Sequence, residues 1–213
     1  MISKNAVIHS GVILGKNCII EDYVIIGALP RGVKEGELET VIGDNAVIRS
    51  HTVIYAGNRI GSNFQTGNKA NIRELNEIGD NVSIGTLSVV EHHIKIENNV
   101  RIHSQVFIPE YTILEDSSWI GPNVVFTNAL HPQCPEVMEC LKGAIVKKNV
   151  KVGANSTIMP DIVLGESSFI AAGSVVTKDV PAGKLAAGNP AKVIKDVKDF
   201  KCRYNLIDSP YKD

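Results

Sequence analysis

Five titratable side chains recur with a spacing of eighteen residues near the middle of the chain. Arg73 lies eighteen residues before Glu91, and Glu74, His92 and Glu110 form a second series with the same spacing. An imidazole among carboxylates can take a proton from an attacking nucleophile, because histidine titrates near neutral pH. These residue types predict acid–base chemistry, provided that the fold places successive eighteen-residue segments side by side.

A backbone of that kind is indicated by an apolar residue at every sixth position from Ile42 to Phe126. A period of six is required neither by an amphipathic helix nor by an alternating strand. A chain that turns a corner every six residues requires it, and three corners close a triangular coil. Such short repeats are the signature of a parallel β-helix, in which neighbouring coils stack. The positions, with Thr66 the only polar one, are Ile42, Ile48, Ile54, Ile60, Thr66, Ile72, Ile78, Ile84, Val90, Ile96, Ile102, Ile108, Leu114, Ile120 and Phe126.

Two breaks in this register predict loops. Ten residues are inserted after Ile26 and fourteen after Phe126. The inserts contain Pro, Gly and mixed charge, so we expect loops outside the prism at 28–40 and 128–144. With the flanking blocks the chain holds 25 register positions, which predicts about eight coils. The flanking positions are Ile8, Leu14, Ile20, Ile26, Val146, Val152, Ile158, Leu164, Ile170 and Val176.

The last residues, 191–213, are predicted to form a short helix and a tail. Val193, Val197 and Phe200 have helical spacing, with Lys and Asp between them. We expect this C-terminal helix to cap the last coil, because an open solenoid end exposes strand edges. The predicted organisation is an all-β, β-helix domain over 1–190, followed by the helix and tail.

The three corners of each coil differ when the sequence is read with a period of eighteen. The first corner, after Ile42 and its equivalents, holds Gly, Asp and Asn, which are turn residues. The second, after Ile48, is small and partly polar. The third, after Ile54, collects the titratable series, and both predicted loops leave the prism there. Since loops over a polar patch on a rigid scaffold often carry function, we expect the site at the third corner.

The composition restricts the classes of partner. The formal net charge is −1 with Lys and Arg scattered, which argues against nucleic acid or an anionic membrane as the main partner. No apolar run approaches the roughly 20 residues that span a bilayer, and the N-terminus lacks the apolar core of a signal peptide. We therefore expect a cytoplasmic protein whose four cysteines are reduced.

The repeats resemble those of the hexapeptide-repeat acyltransferases, whose fold is a left-handed β-helix. The resemblance covers about Ile8 to Lys195; Ile78-Gly-Asp-Asn-Val-Ser83 is one such repeat, and the ending from Ala171 to Ile194 is also similar. Val125-Phe-Thr-Asn128, before a Pro-containing loop, resembles enzymes that acylate amino groups of nucleotide-linked sugars. Val90-Glu-His92 resembles the segment with the catalytic histidine in sugar acetyltransferases of surface-glycan pathways.

The resemblance implies acetyl-CoA, or another acyl-CoA, as co-substrate and a homotrimer with sites between subunits. The implied acceptor is the amino group of a nucleotide-linked amino sugar in lipopolysaccharide or polysaccharide biosynthesis. We expect His92 to act as base, with Glu91 or Glu74 orienting it or holding the acceptor amine. His93 is the main alternative, and since adjacent strand residues point to opposite faces, only one of the pair should face the cleft. His103, acting from a neighbouring subunit, is a further candidate.

Two more sets of residues are predicted to bind the substrates. Those expected to contact the sugar nucleotide are Arg73, His93, His103, Glu110 and Asn128. In the final coils, small residues would let the pantetheine arm approach the backbone and lysines would meet the CoA phosphates. These cofactor-binding candidates are Ala154, Ala171, Ala172, Gly173, Lys178 and Lys192. Any single lysine among them is equally explained as solubilising charge.

Other functions stay open at this stage. His131, Cys134 and Cys140 supply three local metal ligands where a structural zinc site needs four, so no metal is expected. A hydroxyl acceptor, on a sugar or on serine, would make the protein an O-acetyltransferase and would require a general base. A catalytically silent trimeric scaffold and a metal-dependent hydratase are also compatible with the fold.

Overall fold

Each hexad folds into one short strand and one corner. In most strands the inward residue is the last one, and it is covered by the neighbouring coils, as at Ile72, Ile84 and Ile108. The structure, a computed structural model, describes residues 1–211. The strands β1 to β25 correspond one for one to the 25 predicted register positions, so the predicted parallel β-helix is confirmed.

Three parallel sheets form the sides of the prism, and we number each by the corner that follows it. Sheet 1 comprises β2 (Val12–Leu14), β5 (Thr40–Ile42), β8 (Arg59–Ile60), β11 (Glu77–Ile78), β14 (Lys95–Ile96), β17 (Ile113–Leu114), β20 (Ile145–Val146) and β23 (Val163–Leu164). Sheet 2 comprises β3 (Ile19–Ile20), β6 (Val47–Ile48), β9 (Gln65–Thr66), β12 (Ser83–Ile84), β15 (Arg101–Ile102), β18 (Trp119–Ile120), β21 (Lys151–Val152), β24 (Phe169–Ile170), β26 (Lys184–Gly188) and β27 (Ala191–Asp196). Sheet 3 comprises β1 (Val7–Ile8), β4 (Ile25–Ala28), β7 (Val53–Tyr55), β10 (Asn71–Ile72), β13 (Val89–Val90), β16 (Phe107–Ile108), β19 (Val125–Phe126), β22 (Thr157–Ile158) and β25 (Val175–Val176).

The third residue of most corners adopts a left-handed backbone conformation. In the first corner this residue is commonly Asn, as at Asn63 (φ 57°) and Asn81 (φ 57°), and Asn63 Nδ2 donates to Asn81 Oδ1 at 2.9 Å. In the third corner the same position holds Leu75, His93 and Tyr111, with φ of 59°, 56° and 65°. Side chains of this size are disfavoured there by about 1 kcal/mol each. The third corner therefore departs from simple turn chemistry.

Thr66, the polar exception in the long apolar register, is buried but fully paired. Its Oγ1 accepts a hydrogen bond from the Arg49 backbone N–H at 2.9 Å and lies 3.2 Å from Thr52 Oγ1. A buried hydroxyl with partners costs little, whereas an unpaired one costs about 1–3 kcal/mol. The sequence can thus place a polar residue inside the prism without loss of the repeat.

Both predicted loops leave the prism at the third corner. Residues 29–39 connect β4 to β5, and residues 127–144 connect β19 to β20. The second loop contains one turn of 3₁₀ helix, Val137–Cys140. It is closed at its base by the backbone hydrogen bond from Lys142 N–H to the Asn128 carbonyl, at 2.9 Å.

The predicted C-terminal helix is wrong. Ala191–Asp196 forms β27, which pairs antiparallel with β26 and extends sheet 2 past the last coil. Within residues 191–211, only Val197–Asp199 is helical, as one 3₁₀ turn. The open edge of a sheet presents unpaired N–H and C=O groups, and a strand satisfies them where a helix would leave them uncovered. The apolar spacing that indicated a helix instead leaves Val193 and Ile194 exposed.

Candidate active site

The third corner brings together the titratable residues that share the eighteen-residue spacing. In sheet 3, Ile72 is in register with Val90, and Val90 with Ile108. Strand neighbours lie about 4.8 Å apart, so the residues that follow these positions form columns of touching side chains. Arg73 and Glu91 form one such column, and Glu74, His92, Glu110 and Asn128 form the next.

Arg73 is held in place by two carboxylates and an aromatic ring. Its Nε and Nη2 donate to Glu74 at 2.9 and 3.0 Å, and its Nη1 lies 3.4 Å from Glu91 Oε2. The guanidinium carbon lies 5.0 Å from the centre of the Tyr55 ring. Hydrogen bonding to Glu74 raises the pKa of Arg73 above its usual value. Burial has the largest single effect on Glu74 and would raise its pKa, but the hydrogen bonds from Arg73 and from the backbone, together with the positive charge of Arg73, lower the pKa below its usual value.

His92 lies between His93 and Glu110. The Nδ1 atoms of the two histidines are 2.8 Å apart, and His92 Nε2 is 3.4 Å from Glu110 Oε1. Asn128 Nδ2 donates to the other oxygen of Glu110 at 2.7 Å. If Nε2–H of His92 faces Glu110, its Nδ1 carries the lone pair and His93 carries the proton between the rings. In this arrangement Glu110 orients the ring of His92, and the unprotonated Nδ1 accepts from His93, so a substrate proton would reach it only in place of that hydrogen bond.

Two sequence-based interpretations change with this geometry. Adjacent strand residues point to opposite faces, but His92 and His93 lie in the corner beyond β13, where both rings meet. The carboxylate expected to orient His92 was Glu91 or Glu74. In the structure Arg73 binds both of these, and Glu110 contacts the imidazole.

The corner is supported from inside the prism by Asn58 and Asn76, which sequence analysis missed. Asn58 Nδ2 donates to the carbonyls of Tyr55 and Arg73, both at 2.7 Å, and Asn76 Nδ2 donates to the Arg73 carbonyl at 2.8 Å. The Oδ1 of Asn76 accepts from the Ile94 N–H at 2.8 Å. Both side chains are buried. In the sequence these two residues could have been found as amides at a position where the next coil has an aliphatic residue, Ile94.

The charge of the corner favours a cationic ligand group. The corner holds three carboxylates, Glu74, Glu91 and Glu110, against one guanidinium, and the carboxylate side chains are 12%, 20% and 23% exposed. Partly buried charges of one sign are screened less than surface charges. An amino group would therefore be attracted to the space beside His92.

His103, also expected at the site, lies at the second corner and not beside His92. Its ring centre is 4.6 Å from that of Trp119, and its Nε2 is buried without a hydrogen-bond partner within residues 1–211. Burial, and then the charge of Arg101, lower the pKa of His103 below its usual value. His103, Arg101 and Ser104 line a groove of about 210 Å³ on sheet 2. Trp119 was missed because it occupies an outward strand position outside the columns.

The predicted cofactor residues fall into three places. Ala171, Ala172 and Gly173 form the second corner before β25, directly above Ala154 in the preceding coil. Gly173 has a φ of 72° and open space around its Cα, so this backbone is accessible. Lys178 is exposed at the third corner, and Lys192 is exposed on β27. Within one chain these groups are not in contact, since β25 separates the second corner from the third.

No metal centre is evident in the described part of the chain. Among residues 1–211, no group of three or more His, Cys, Asp and Glu side chains is arranged to hold a metal ion. His131 and Cys140 are exposed on the second loop, and Cys18, Cys134 and Cys202, like Cys140, are free thiols in this range. The same range contains no helix with the length and apolar character that a membrane crossing requires.

Family models match the repeats on both sides of the second loop. The model of the bacterial transferase hexapeptide (six repeats) matches residues 77–110 and 143–178, and the model of the hexapeptide repeat of succinyl-transferase matches residues 2–28. The chain contains hexapeptide repeats of the type that these models describe. The sequence resemblance to hexapeptide-repeat transferases is thereby confirmed.

Curated relatives extend the similarity beyond the matched repeats. The bifunctional protein GlmU of Clostridioides difficile (strain 630) is 32% identical over 197 residues, which are 92% of this chain and 39% of GlmU. A 2,3,4,5-tetrahydropyridine-2,6-dicarboxylate N-acetyltransferase of Clostridium perfringens (strain SM101 / Type A) is 39% identical over 90 residues, 42% of this chain and 36% of that enzyme. The hexapeptide-repeat chain thus spans less than half the length of these two relatives.

A solved structure shows the same fold over nearly the whole chain. The UDP-N-acetylglucosamine acyltransferase from Campylobacter jejuni superposes with a TM-score of 0.67 at 20% identity, covering 92% of this chain and 75% of that chain. The hexapeptide-repeat chain therefore has the left-handed parallel β-helix fold that its sequence predicts.

Proposed function

We propose that this hexapeptide-repeat protein transfers an acetyl or similar acyl group from acyl-CoA to the amino group of a nucleotide-linked amino sugar. The observation that carries the proposal is the contact set of His92, an imidazole that lies between Glu110 and His93 at the corner from which both loops leave the prism. The N-acetyltransferase activity in the name of the C. perfringens relative supports acyl transfer to nitrogen. The nucleotide-linked sugar is supported by the resemblance of Val125-Phe-Thr-Asn128.

The acidic character of the corner favours an amine over a hydroxyl. Glu91 and Glu110 would attract the acceptor as an ammonium ion, whereas a neutral hydroxyl gains nothing from the field. The amine must then lose its proton before it can attack. His92 is the group that would accept it, at its unprotonated Nδ1 and in place of the hydrogen bond from His93.

The reaction follows from these roles. His92 first releases the proton of the ammonium ion to solvent. The neutral amine nitrogen then attacks the thioester carbon of acyl-CoA, a C–N bond forms and the C–S bond breaks. CoA leaves as the thiolate, and the second proton lost by the nitrogen on attack passes to His92 and from there to the thiolate sulfur. Glu110, fixed by Asn128, would stabilise the imidazolium while it carries this proton. Atoms and charge balance without a metal or a redox partner.

A homotrimer is supported by the outer surface of sheet 3. The outward residues of its nine strands include no charged side chain, whereas sheets 1 and 2 place Arg59, Glu77, Lys95, Arg101 and Lys151 at the equivalent positions. A long apolar stripe of this kind marks a contact surface. The stripe consists of Val7, Ile25, Val53, Val89, Phe107, Val125 and Val175, interrupted by Asn71 and Thr157.

Sheet 3 facing a threefold axis would complete the site. The third corner of one chain would then lie beside the second corner of its neighbour, because these corners flank sheet 3 on its two sides. His103 would approach the acidic corner that contains His92, and Ala171–Gly173 would approach Lys178. The residues that one chain keeps apart, for acceptor and for CoA, would in this way meet across the subunit boundary.

The test is an acetyl-transfer assay with acetyl-CoA and UDP- or dTDP-linked amino sugars. His92→Ala should lower kcat by roughly 10²–10⁴-fold, the usual contribution of a general base. His51→Ala, at an exposed position on the second corner, is the matched control and should be unaffected. An unchanged rate for His92→Ala would exclude it as the base. Faster transfer to hydroxyl acceptors would favour an O-acyltransferase, and failure to bind acetyl-CoA in a calorimetric titration would favour a scaffold.

A further inference from the structure

A cavity lies at the first corner, where the C-terminal segment after β27 folds over the outer face of sheet 2. Its volume is about 400 Å³, and its lining includes Asn149, Lys151, Ser167 and Tyr211. The first corner joins sheets 1 and 2, so it is the one edge of the prism that does not flank sheet 3. The proposed acyl-transfer site uses the other two corners, and this cavity is therefore a separate place on the protein.

Lys151 is the group in this cavity whose charge is not balanced. It is half-buried on β21, its Nζ donates to the Asn149 carbonyl at 3.0 Å, and the Nζ lies 4.9 Å from the centre of the Tyr211 ring. None of the ion pairs within residues 1–211 includes Lys151. Burial lowers the pKa of Lys151, which is the effect expected of a desolvated cation without a counter-charge.

The surroundings of the cavity are basic. Asp196 is the carboxylate in its lining, and it is bound by Lys184 at 2.5 Å. Lys198 lines the cavity as well. Over residues 142–203 the chain carries eleven Lys and Arg against five Asp and Glu, although the whole chain has a net charge of −1. A local excess of positive charge attracts anions to this end of the solenoid.

The outer wall of the cavity is fixed by aromatic packing. The Phe169 ring centre lies 5.4 Å from that of Phe200 and 5.7 Å from that of Tyr211, and the Phe200 and Tyr211 centres are 5.8 Å apart. Contacts of this geometry are favourable beyond the area that they bury. The C-terminal segment thus encloses Lys151 together with two neutral donors, the Ser167 hydroxyl and the Asn149 amide, whose side chains make no hydrogen bond within residues 1–211.

We propose that this cavity binds a phosphate dianion, with the Lys151 ammonium as counter-ion and the side chains of Ser167 and Asn149 as donors. A phosphate oxygen in the cavity would give Lys151 the counter-charge that the described residues do not supply. The same dianion chemistry occurs in free inorganic phosphate and in the phosphomonoester of a nucleotide.

The single tryptophan makes the binding directly measurable. Trp119 is in register with Lys151 on the outer face of sheet 2. Titration with potassium phosphate should change the Trp119 fluorescence with saturation, whereas potassium chloride at equal ionic strength should not. Lys151→Met should weaken phosphate binding roughly tenfold or more, the value of one charge-assisted hydrogen bond. Lys151→Arg keeps the charge and should retain most of the affinity.

The matched control is Lys148→Met, which removes an exposed lysine three residues away and should leave the titration unchanged. Equal responses of wild type and Lys151→Met, or a response that follows ionic strength alone, would overturn the proposal. Adenosine 3′-phosphate tests the source of the dianion: Lys151-dependent binding tighter than that of phosphate indicates a nucleotide, and equal binding indicates the free ion. Neither result depends on acyl-transfer activity, which the Lys151 variants should keep.

Discussion

Asn76→Ala is predicted to destabilise the solenoid beneath the candidate active site. The Asn76 side chain is buried, donates to the Arg73 carbonyl at 2.8 Å and accepts from the Ile94 N–H at 2.8 Å. Its removal leaves the Ile94 N–H without a partner. The Arg73 carbonyl is still bound, because Asn58 Nδ2 also donates to it at 2.7 Å.

The magnitude follows from this count of lost partners. One buried donor without an acceptor costs about 1–3 kcal/mol, and the space left by the amide adds about 1 kcal/mol. We expect a loss of about 2–4 kcal/mol in the free energy of unfolding. Asn58→Ala should lower the free energy of unfolding further, because it leaves both the Tyr55 carbonyl and the Asn76 N–H without a hydrogen-bond partner.

Urea unfolding followed by circular dichroism measures these differences. Asn71→Ala is the control, because Asn71 sits half-buried on β10 and its side chain makes no hydrogen bond within the described residues. It should change the free energy of unfolding by less than about 1 kcal/mol. The reasoning would be refuted if Asn76→Ala matched this control, or if Asn58→Ala were the milder of the two buried variants.

Three further changes are predicted from particular contacts. Glu74 stabilises the fold above pH 4.5, its usual pKa, and this contribution is lost as the pH falls through the lower pKa of Glu74 in the folded state. Glu74→Gln should therefore make the free energy of unfolding less dependent on pH on the acid side. Parallel pH profiles of wild type and variant would contradict this. Thr66→Val restores the apolar register but leaves the Arg49 N–H without an acceptor. Chemical denaturation should therefore show a free energy of unfolding that is lower by about 1–2 kcal/mol, not higher. Lys69 is exposed at a φ of 59°, where a β-branched side chain is tolerated less well than lysine, so Lys69→Val should lower the thermal midpoint; an unchanged midpoint would show that the corner relaxes.

The period of six was sufficient to predict the scaffold. A side chain that must point inward at each strand end leaves few alternatives, so the strands and the origin of both loops follow from spacing alone. The C-terminal helix was wrong because its spacing describes an isolated segment. The free edge of sheet 2 supplies hydrogen-bond partners for β27 that no local pattern reveals.

The candidate site was predictable by residue but not by partner. Eighteen-residue spacing places Glu74, His92 and Glu110 in one column, yet it does not say which neighbour a flexible side chain contacts. Arg73 binds Glu74 and Glu91, which leaves Glu110 to meet His92. Position in the column sets proximity, whereas competition among side chains decides the pairing.

The in-register stacking of coils constrains where the length of this chain can change. Each strand pairs with the one an entire coil earlier, also across both loops, so the length of a coil is fixed by its neighbours on both sides. Loss of one residue inside a coil would turn every later inward side chain outward or force a local bulge. Insertion of a complete coil, or lengthening of a loop at the third corner, would keep the later inward side chains pointing inward. Length changes in such a chain are therefore tolerated in whole coils or at that one edge.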